Sequence, residues 1–170
     1  MKKYILSFLA FICFGQINGQ STELIYQSAC GITTLEEISN TIGIDTSLLI
    51  QKSLDFRNKT SRCYAFDSND VQYFVIKLEW KSQGDILKQI LSNNYQTYLT
   101  QGDKYISNYQ DLSSPSGTQT LFGTGQNNEN RYVHILRRRY GDDAEALIEM
   151  TLDALDSNAQ SKLQTILNNI

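Results

Sequence analysis

The sequence predicts a mixed α/β domain of the α+β type, in which a short N-terminal helix, a long central helix and a C-terminal helix pack on an antiparallel β-sheet. Two observations predict this class. Residues 61–66 and 71–80 flank a turn-rich Asp-Ser-Asn-Asp segment and alternate as the strands of a hairpin do. Three other stretches, near residues 35–42, 82–99 and 157–170, place apolar side chains at helical spacing.

The N-terminus has the pattern of a secretory signal peptide. Lys2 and Lys3 form a basic start, and residues 4–14 are apolar but too short to span a membrane. A glycine precedes the predicted cleavage site, which requires a small residue. We therefore predict a signal peptide over residues 1–19 and a single secreted domain over residues 20–170. The location is periplasmic or extracellular, with no transmembrane segment in the mature chain.

The charge of the chain narrows the classes of partner. The full chain has 15 Lys and Arg against 18 Asp and Glu, a formal charge of −3. Loss of Lys2 and Lys3 with the leader leaves 13 cations against 18 acids, a charge of −5. An acidic protein of this kind is a poor ligand for nucleic acid or anionic membrane. The predicted partner is a protein or a small molecule, of an identity that the sequence does not give.

Two cysteines, Cys30 and Cys63, remain after the leader is removed. An exported chain with one pair most simply joins them in a disulfide, which we predict. The alternative is a redox or nucleophilic thiol. It has less support, because there is no C-x-x-C spacing and no nearby histidine to lower a thiol pKa.

A capping box predicts where the first helix begins. Thr34 can accept from the backbone three residues on, and Glu37 can accept from the Thr34 amide. Gly43 supplies the left-handed residue that ends the helix. Residues 44–59 keep no sustained period, so they are irregular or contain one short strand or turn of helix.

The remaining elements follow from period and turn residues. In the second hairpin strand, alternate residues should face the core: Phe74, Ile76, Leu78 and Trp80. Ser82 opens the long central helix and Gly102 ends it. Residues 103–118 form a surface loop, and residues 119–123 and 132–138 are predicted strands.

Residues 145–155 are ambiguous, because their types favour helix while their apolar positions alternate as in a half-buried strand. We predict a strand, since a tight turn precedes it and Asp156 and Ser157 can cap a separate terminal helix. The alternative is one helix over residues 142–170.

A family resemblance is carried by Cys30, Thr34, Glu37, Gly43, Cys63 and Tyr64. With the order of elements, these residues resemble secreted and lipid-anchored domains of unknown function, abundant in actinobacteria, that pair a cysteine before the first helix with one on the first strand. Those domains are thought to be distant relatives of the PsbP-like fold, so the resemblance implies an antiparallel sheet with helices packed on it. The chain lacks their lipid-attachment cysteine. The resemblance implies no reaction.

Candidate site residues are few. His134 is the only histidine, and a zinc site needs three or four converging ligands, so we predict no catalytic residue, metal or cofactor. Arg137, Arg138 and Arg139 are the densest positive charge and could dock an anion or acidic partner. On a strand, however, Arg138 points opposite to its two neighbours.

Tyr95 and Tyr98 are the other candidate binding residues. A tyrosine offers both apolar area and a hydroxyl, and nearby Asn and Gln side chains suit recognition of sugars or proteins. The alternative is that both tyrosines pack on the buried face of the helix.

Taken together, these residues predict a secreted binding or accessory module without catalytic activity. One alternative is a secreted inhibitor or immunity-type protein that binds a basic partner, which the small acidic profile would also suit. A second is a hydrolase, which needs His134 beside a nucleophile and a carboxylate.

Overall fold

Seven antiparallel strands form one sheet in the computed structural model, which describes residues 28–56, 60–80, 94–113, 119–140 and 144–170. The strands are β1 (Ile50–Phe56), β2 (Thr60–Phe66), β3 (Gln72–Trp80), β4 (Tyr109–Asp111), β5 (Thr120–Gln126), β6 (Tyr132–Tyr140) and β7 (Ala144–Leu152). Their order across the sheet is β1-β2-β3-β7-β6-β5-β4. The predicted α+β class and antiparallel sheet are confirmed.

The sheet consists of two meanders that meet at its centre. β1 to β3 pair in sequence order, and so do β4 to β7. β3 then pairs with β7, where Ile76 lies opposite Ile148. A strand is therefore confirmed in the segment predicted over residues 145–155, although it ends at Leu152, and the alternative of one helix over residues 142–170 is wrong.

Short helices cover both faces of the sheet. In the described ranges they are α1 (Leu35–Ile42), α2 (residues 94–101) and α3 (Ala159–Leu167), with single 3-10 turns at Ala29–Gly31 and Thr46–Leu48. α1 and α3 pack on one side, called here the helical face, and α2 packs on the opposite face. Among the described residues, no helix combines the length and the apolar character needed to cross a bilayer.

Several predictions fall wholly or partly outside the described residues. The predicted long central helix is not matched: α2 covers residues 94–101, and residues 81–93 are not described. The signal peptide at residues 1–19, the side chain of Trp80 and residues 114–118 of the predicted loop also lie outside the described part.

The ends of α1 are as predicted. The Glu37 amide donates to Thr34 Oγ1 at 3.1 Å, and the Thr34 amide donates to Glu37 Oε2 at 2.8 Å. These bonds satisfy two backbone donors that a helix start leaves open. Gly43 ends the helix with a φ of 72°, a conformation that favours glycine.

The predicted hairpin corresponds to β2 and β3 and also follows the prediction. Phe74, Ile76 and Leu78 are fully buried on the helical face, and Asp70 takes a φ of 60° in the turn between β2 and β3.

The segment over residues 44–59, for which no sustained period was found, contains both a 3-10 turn and a full strand, β1. The short strand was one of the open alternatives for that segment.

The prediction of a surface loop over residues 103–118 is wrong in part, because this segment contains β4 and buries Ile106 and Tyr109. Several predicted boundaries also shift, and two of the shifts have a clear local reason. β5 runs on to Gln126, because Gly125 lies in the ladder opposite Val133 and does not begin a turn. α3 begins at Ala159, because Asp156 accepts from the Asn158 amide at 2.8 Å and holds the preceding residues in a turn.

A disulfide joins Cys30 to Cys63, as predicted, with their Cα atoms 4.9 Å apart. It ties the 3-10 turn before α1 to the middle of β2. The Ala29 amide adds a 2.8 Å hydrogen bond to Ser61 Oγ beside it. The N-terminal segment is therefore bound to the sheet by a covalent link and by a buried polar contact.

Replacing both cysteines by serine should lower the free energy of unfolding by about 3 to 4 kcal/mol. The bond closes a loop between residues 33 positions apart, which restricts the unfolded chain. Urea unfolding of the oxidised protein and of the Cys30→Ser/Cys63→Ser variant measures the loss. Reductant should give a similar loss in the natural protein and none in the variant. Equal stability of the natural protein and the variant, with and without reductant, would contradict the prediction.

Candidate functional site

The arginine run on β6 is divided between the two faces of the sheet. Arg137 lies on the opposite face with Tyr98 and Tyr109, while Arg138 lies on the helical face, where its Nε donates to Thr120 Oγ1 at 3.3 Å. The backbone amide of Arg139 donates to the Gln119 carbonyl at 2.8 Å. The predicted alternation is confirmed, so the three arginines do not form one cationic surface.

Arg137 is the centre of a buried ionic cluster. Its Nη1 donates to Glu145 Oε1 and its Nη2 to Asp103 Oδ2, both at 3.2 Å, and its Nε donates to the Tyr109 hydroxyl at 3.3 Å. The guanidinium also lies 4.3 Å from the centre of the Tyr98 ring. The side chains of Arg137 and Glu145 are 11% and 10% exposed. Each guanidinium nitrogen therefore has a partner inside the protein.

Asp103 accepts four hydrogen bonds, one of them from Arg137. Its Oδ2 accepts from the Tyr109 hydroxyl at 2.6 Å, and its Oδ1 accepts from the amides of Tyr105 and Ile106 at 3.0 Å. Burial alone would raise the pKa of Asp103, but these hydrogen bonds and the charge of Arg137 outweigh burial and hold the pKa below its usual range. Asp103 is thus a stable carboxylate that orders the segment after α2.

Tyr95 and Tyr98 join this cluster, so three of the predicted site residues come together. Tyr95 is fully buried, and its ring meets the Tyr98 ring edge-on with centroids 6.0 Å apart. Burial raises the pKa of Tyr95, and the negative charge of Glu145 raises it further. The packing of both tyrosines against the sheet matches the alternative weighed for them; a binding role for this cluster stays a prediction.

Two glycines make room for the cluster. A Cβ on Gly125 would lie 1.7 Å from the Tyr105 carbonyl oxygen, and one on Gly102 would lie 2.0 Å from the Ile106 carbonyl oxygen. Gly125 therefore lets the segment that carries Asp103 cross β5 in direct contact with its backbone, while Gly102, with a φ of 73°, lets that segment turn back closely on itself. This close approach explains glycines at these positions.

His134 lies on the helical face, on the other side of the sheet from Arg137 and its ionic cluster. It is fully buried, and its Nδ1 is 3.0 Å from Thr124 Oγ1. Its Nε2 has no hydrogen-bond partner among the described residues. Burial lowers the pKa of His134; nearby Asp156 opposes this effect and Lys162 adds to it. His134 is therefore neutral at pH 7.

The hydrolase alternative requires a hydroxyl nucleophile and a carboxylate beside His134, and the structure shows only the hydroxyl among the described residues that bond to the ring. Thr124 supplies a hydroxyl beside His134, but no described carboxylate bonds to the second ring nitrogen to orient the imidazole. Within the described residues, no group of three or more potential metal ligands converges. The hydrolase remains a prediction without a completed site.

The structure also shows an exposed surface that was not predicted from the sequence. Ile50 and Leu54 are each 48% exposed on β1, with exposed Lys52 between them. Behind them on β2, the Tyr64 and Phe66 rings stack at 5.5 Å, and Arg62 Nη1 donates to the Tyr64 hydroxyl at 3.3 Å. We call these residues the open strip: Ile50, Lys52, Leu54, Arg62, Tyr64 and Phe66.

The signal for the open strip was present in the sequence. Ile50 and Leu54 alternate with Gln51, Ser53 and Asp55, which is the period of a strand. Lys52 lies between Ile50 and Leu54 on the same face, so that face is not continuously apolar and the segment was not recognised as a half-buried strand. A lysine between two apolar residues on one face is compatible with a strand whose face is exposed to solvent.

Replacing Arg137 with methionine should lower the free energy of unfolding at pH 7 by about 3 to 5 kcal/mol, because it leaves two buried carboxylates unpaired. Arg138→Met, on the other face, should cost about 1 kcal/mol or less. Urea unfolding measures both. Adding Asp103→Asn and Glu145→Gln to Arg137→Met should recover part of the loss. Equal small losses for the two single variants would refute the cluster's role.

His134 should make the protein less stable as pH falls from 7.5 to 5. The unfolded chain takes up a proton near the ordinary pKa of 6.5, whereas the buried ring resists it, so stability present above that pH is lost below it. His134→Gln removes this term, and the stability difference between natural protein and variant should shrink on acidification. Burial raises the pKa of Glu149, so Glu149 stabilises the folded state as pH falls. This contribution is the same in the natural protein and the variant and cancels in the difference between their stabilities. Parallel stability curves would contradict the prediction.

Comparisons of the chain with protein-family models, with curated proteins and with solved structures find no match. The resemblance to secreted actinobacterial domains and to the PsbP-like fold therefore stays a prediction. Proposals on function rest on the residues of this chain alone.

Proposed function

We propose that this chain is an exported binding or accessory module that acts through the open strip and performs no chemistry of its own. The exposed pair Ile50 and Leu54 carries this proposal. They flank a lysine on an edge strand and continue into the stacked Tyr64 and Phe66 rings. Contiguous exposed apolar surface with a polar rim is typical of interaction sites.

The composition of the open strip suits recognition of another molecule. Aromatic and arginine side chains are enriched at the centres of protein interfaces. Here Tyr64, Phe66 and Arg62 lie together on β2, which the Cys30–Cys63 bond and pairing with β3 hold in place. A partner would therefore meet a surface that is already ordered, which lowers the entropic cost of binding.

The buried cluster around Arg137 is less suited to binding a partner than the open strip. Arg137 donates from all three of its guanidinium nitrogens to protein atoms and its side chain is 11% exposed, so an anion would compete there with Asp103, Glu145 and Tyr109. Lys52, on the open strip, has Asp70 at 3.7 Å, and both side chains are well exposed. Such a surface ion pair contributes little and is easily exchanged for a partner's charge.

Export is part of the proposal and has two supports. The first is the signal-peptide pattern of residues 1–19. The second is the disulfide between Cys30 and Cys63, because structural disulfides persist mainly in oxidising compartments. A periplasmic or extracellular location fits both.

A photo-crosslinking residue at position 54 should form a discrete adduct in cells that export this protein. Leu54 lies in the open strip, so a bound partner would be within reach of its side chain. Denaturing gel electrophoresis and mass spectrometry of the adduct provide the measurement. The matched control is position 155, where the natural leucine is 60% exposed but lies outside the strip. Adducts at both positions, or at neither, would contradict a binding role for the strip.

A further inference from the structure

We infer that the partner is an extended peptide segment that adds as a strand to the outer edge of β1 and presents an acidic side chain between two apolar ones. This inference rests on the proposed function and names the partner's chemistry. Three features lead to this inference. They are the difference between the two edges of the sheet, the alternation of side chains along β1 and the position of the charges on β1.

The two edges of the sheet differ in how far they are open. β4 forms one edge and contains three residues, Tyr109–Asp111. β1 forms the other and contains seven, paired with β2 without a bulge from Ile50–Phe66 to Phe56–Thr60. β1 has no proline. Proteins commonly protect edges by shortening, bulges, proline or charged side chains, and of these β1 has only charged side chains, Lys52 on the open strip and Asp55 on the other face.

The side chains of β1 define what an added strand would need. Opposite residues on neighbouring strands place their Cβ atoms about 4.5 to 5.5 Å apart on the same face. On the open strip, Ile50 and Leu54 would meet apolar side chains, and Lys52 between them would meet an acidic one. Because the period of a strand is two, the matching segment has the pattern apolar-x-acidic-x-apolar.

Charge argues against a second copy of this chain as the occupant. Opposite residues share a face. When two copies of β1 pair antiparallel so that one face continues across both sheets, the residue opposite Lys52 therefore has an even number. The acid of β1 is Asp55, on the other face of the strand, where it accepts from Ser53 Oγ at 3.0 Å. Self-pairing would therefore set Lys52 against another lysine or an apolar residue, which is unfavourable.

The probes are three capped seven-residue peptides. The first, Thr-Val-Thr-Glu-Thr-Val-Thr, has the inferred pattern. The second replaces the glutamate with lysine. The third, Thr-Val-Glu-Thr-Thr-Val-Thr, has the composition of the first but moves the acid to the other face of the strand. Titration calorimetry on the oxidised protein gives affinities, and amide hydrogen exchange maps the contact.

The first peptide should bind most tightly and should slow exchange of amides in β1. Lys52→Glu should weaken it about fivefold or more and should make the lysine peptide the better ligand. The matched control is Lys104→Glu, an exposed lysine outside the strip, which should leave the order of affinities unchanged. Rescue by the swapped charge would not follow from a general loss of folding.

Several results would overturn the inference. They are no binding by any peptide, equal affinity for the first and third peptides, protection outside β1, or preference of the natural protein for the lysine peptide, which would favour a basic partner instead. Dimerisation of the isolated protein that Lys52→Glu strengthens would identify a second copy as the occupant. If position 54 still gives its discrete adduct in cells, the binding module stands and only strand addition fails.

Discussion

The pairing of β3 with β7 is the interaction on which the rest of the structure depends. It joins residues about 70 positions apart in the sequence, such as Ile76 and Ile148, and turns two separate meanders into one sheet. The core under α1 and α3 is built from side chains of both meanders. With the pairing made, β2, β3, β6 and β7 all contribute buried side chains to the helical face.

The opposite face is completed by a different kind of contact. Over β4 to β6 it is covered by α2 and by the segment after it, which packs Tyr95 and Ile106 on the strands. The same segment brings Asp103 to Arg137, so a polar cluster and an apolar cluster meet under one cover. Breaking such a buried pair costs more than it would at the surface, because the charge left behind is desolvated. Over β1 and β2 no such cover is described, and the open strip remains.

Local signals in the sequence predicted the local features well. The capping box of Thr34 and Glu37, the Gly43 stop and the alternation of Phe74, Ile76 and Leu78 each depend on neighbouring residues, and each is confirmed. The disulfide was predictable because the predicted removal of residues 1–19 leaves one pair of cysteines. The neighbours of Arg137 were not, since Asp103 lies 34 residues away and Glu145 is on another strand. Contacts of that kind follow from strand order, which a single sequence does not reveal.

The disulfide and the open strip are linked through β2. β1 pairs along its whole length with β2 and is otherwise an edge, so the order of the strip depends on how firmly β2 is held. Cys63 lies in the middle of β2 on the helical face, with Tyr64 next to it on the strip. The covalent bond to Cys30 therefore anchors the strand next to β1, the proposed docking edge, without occupying the open strip itself. A long open edge is a hazard for aggregation in a loosely held sheet. Tying its supporting strand covalently reduces local opening, and Lys52 on the edge disfavours pairing between copies, so the edge can stay available to a partner with the matching charge.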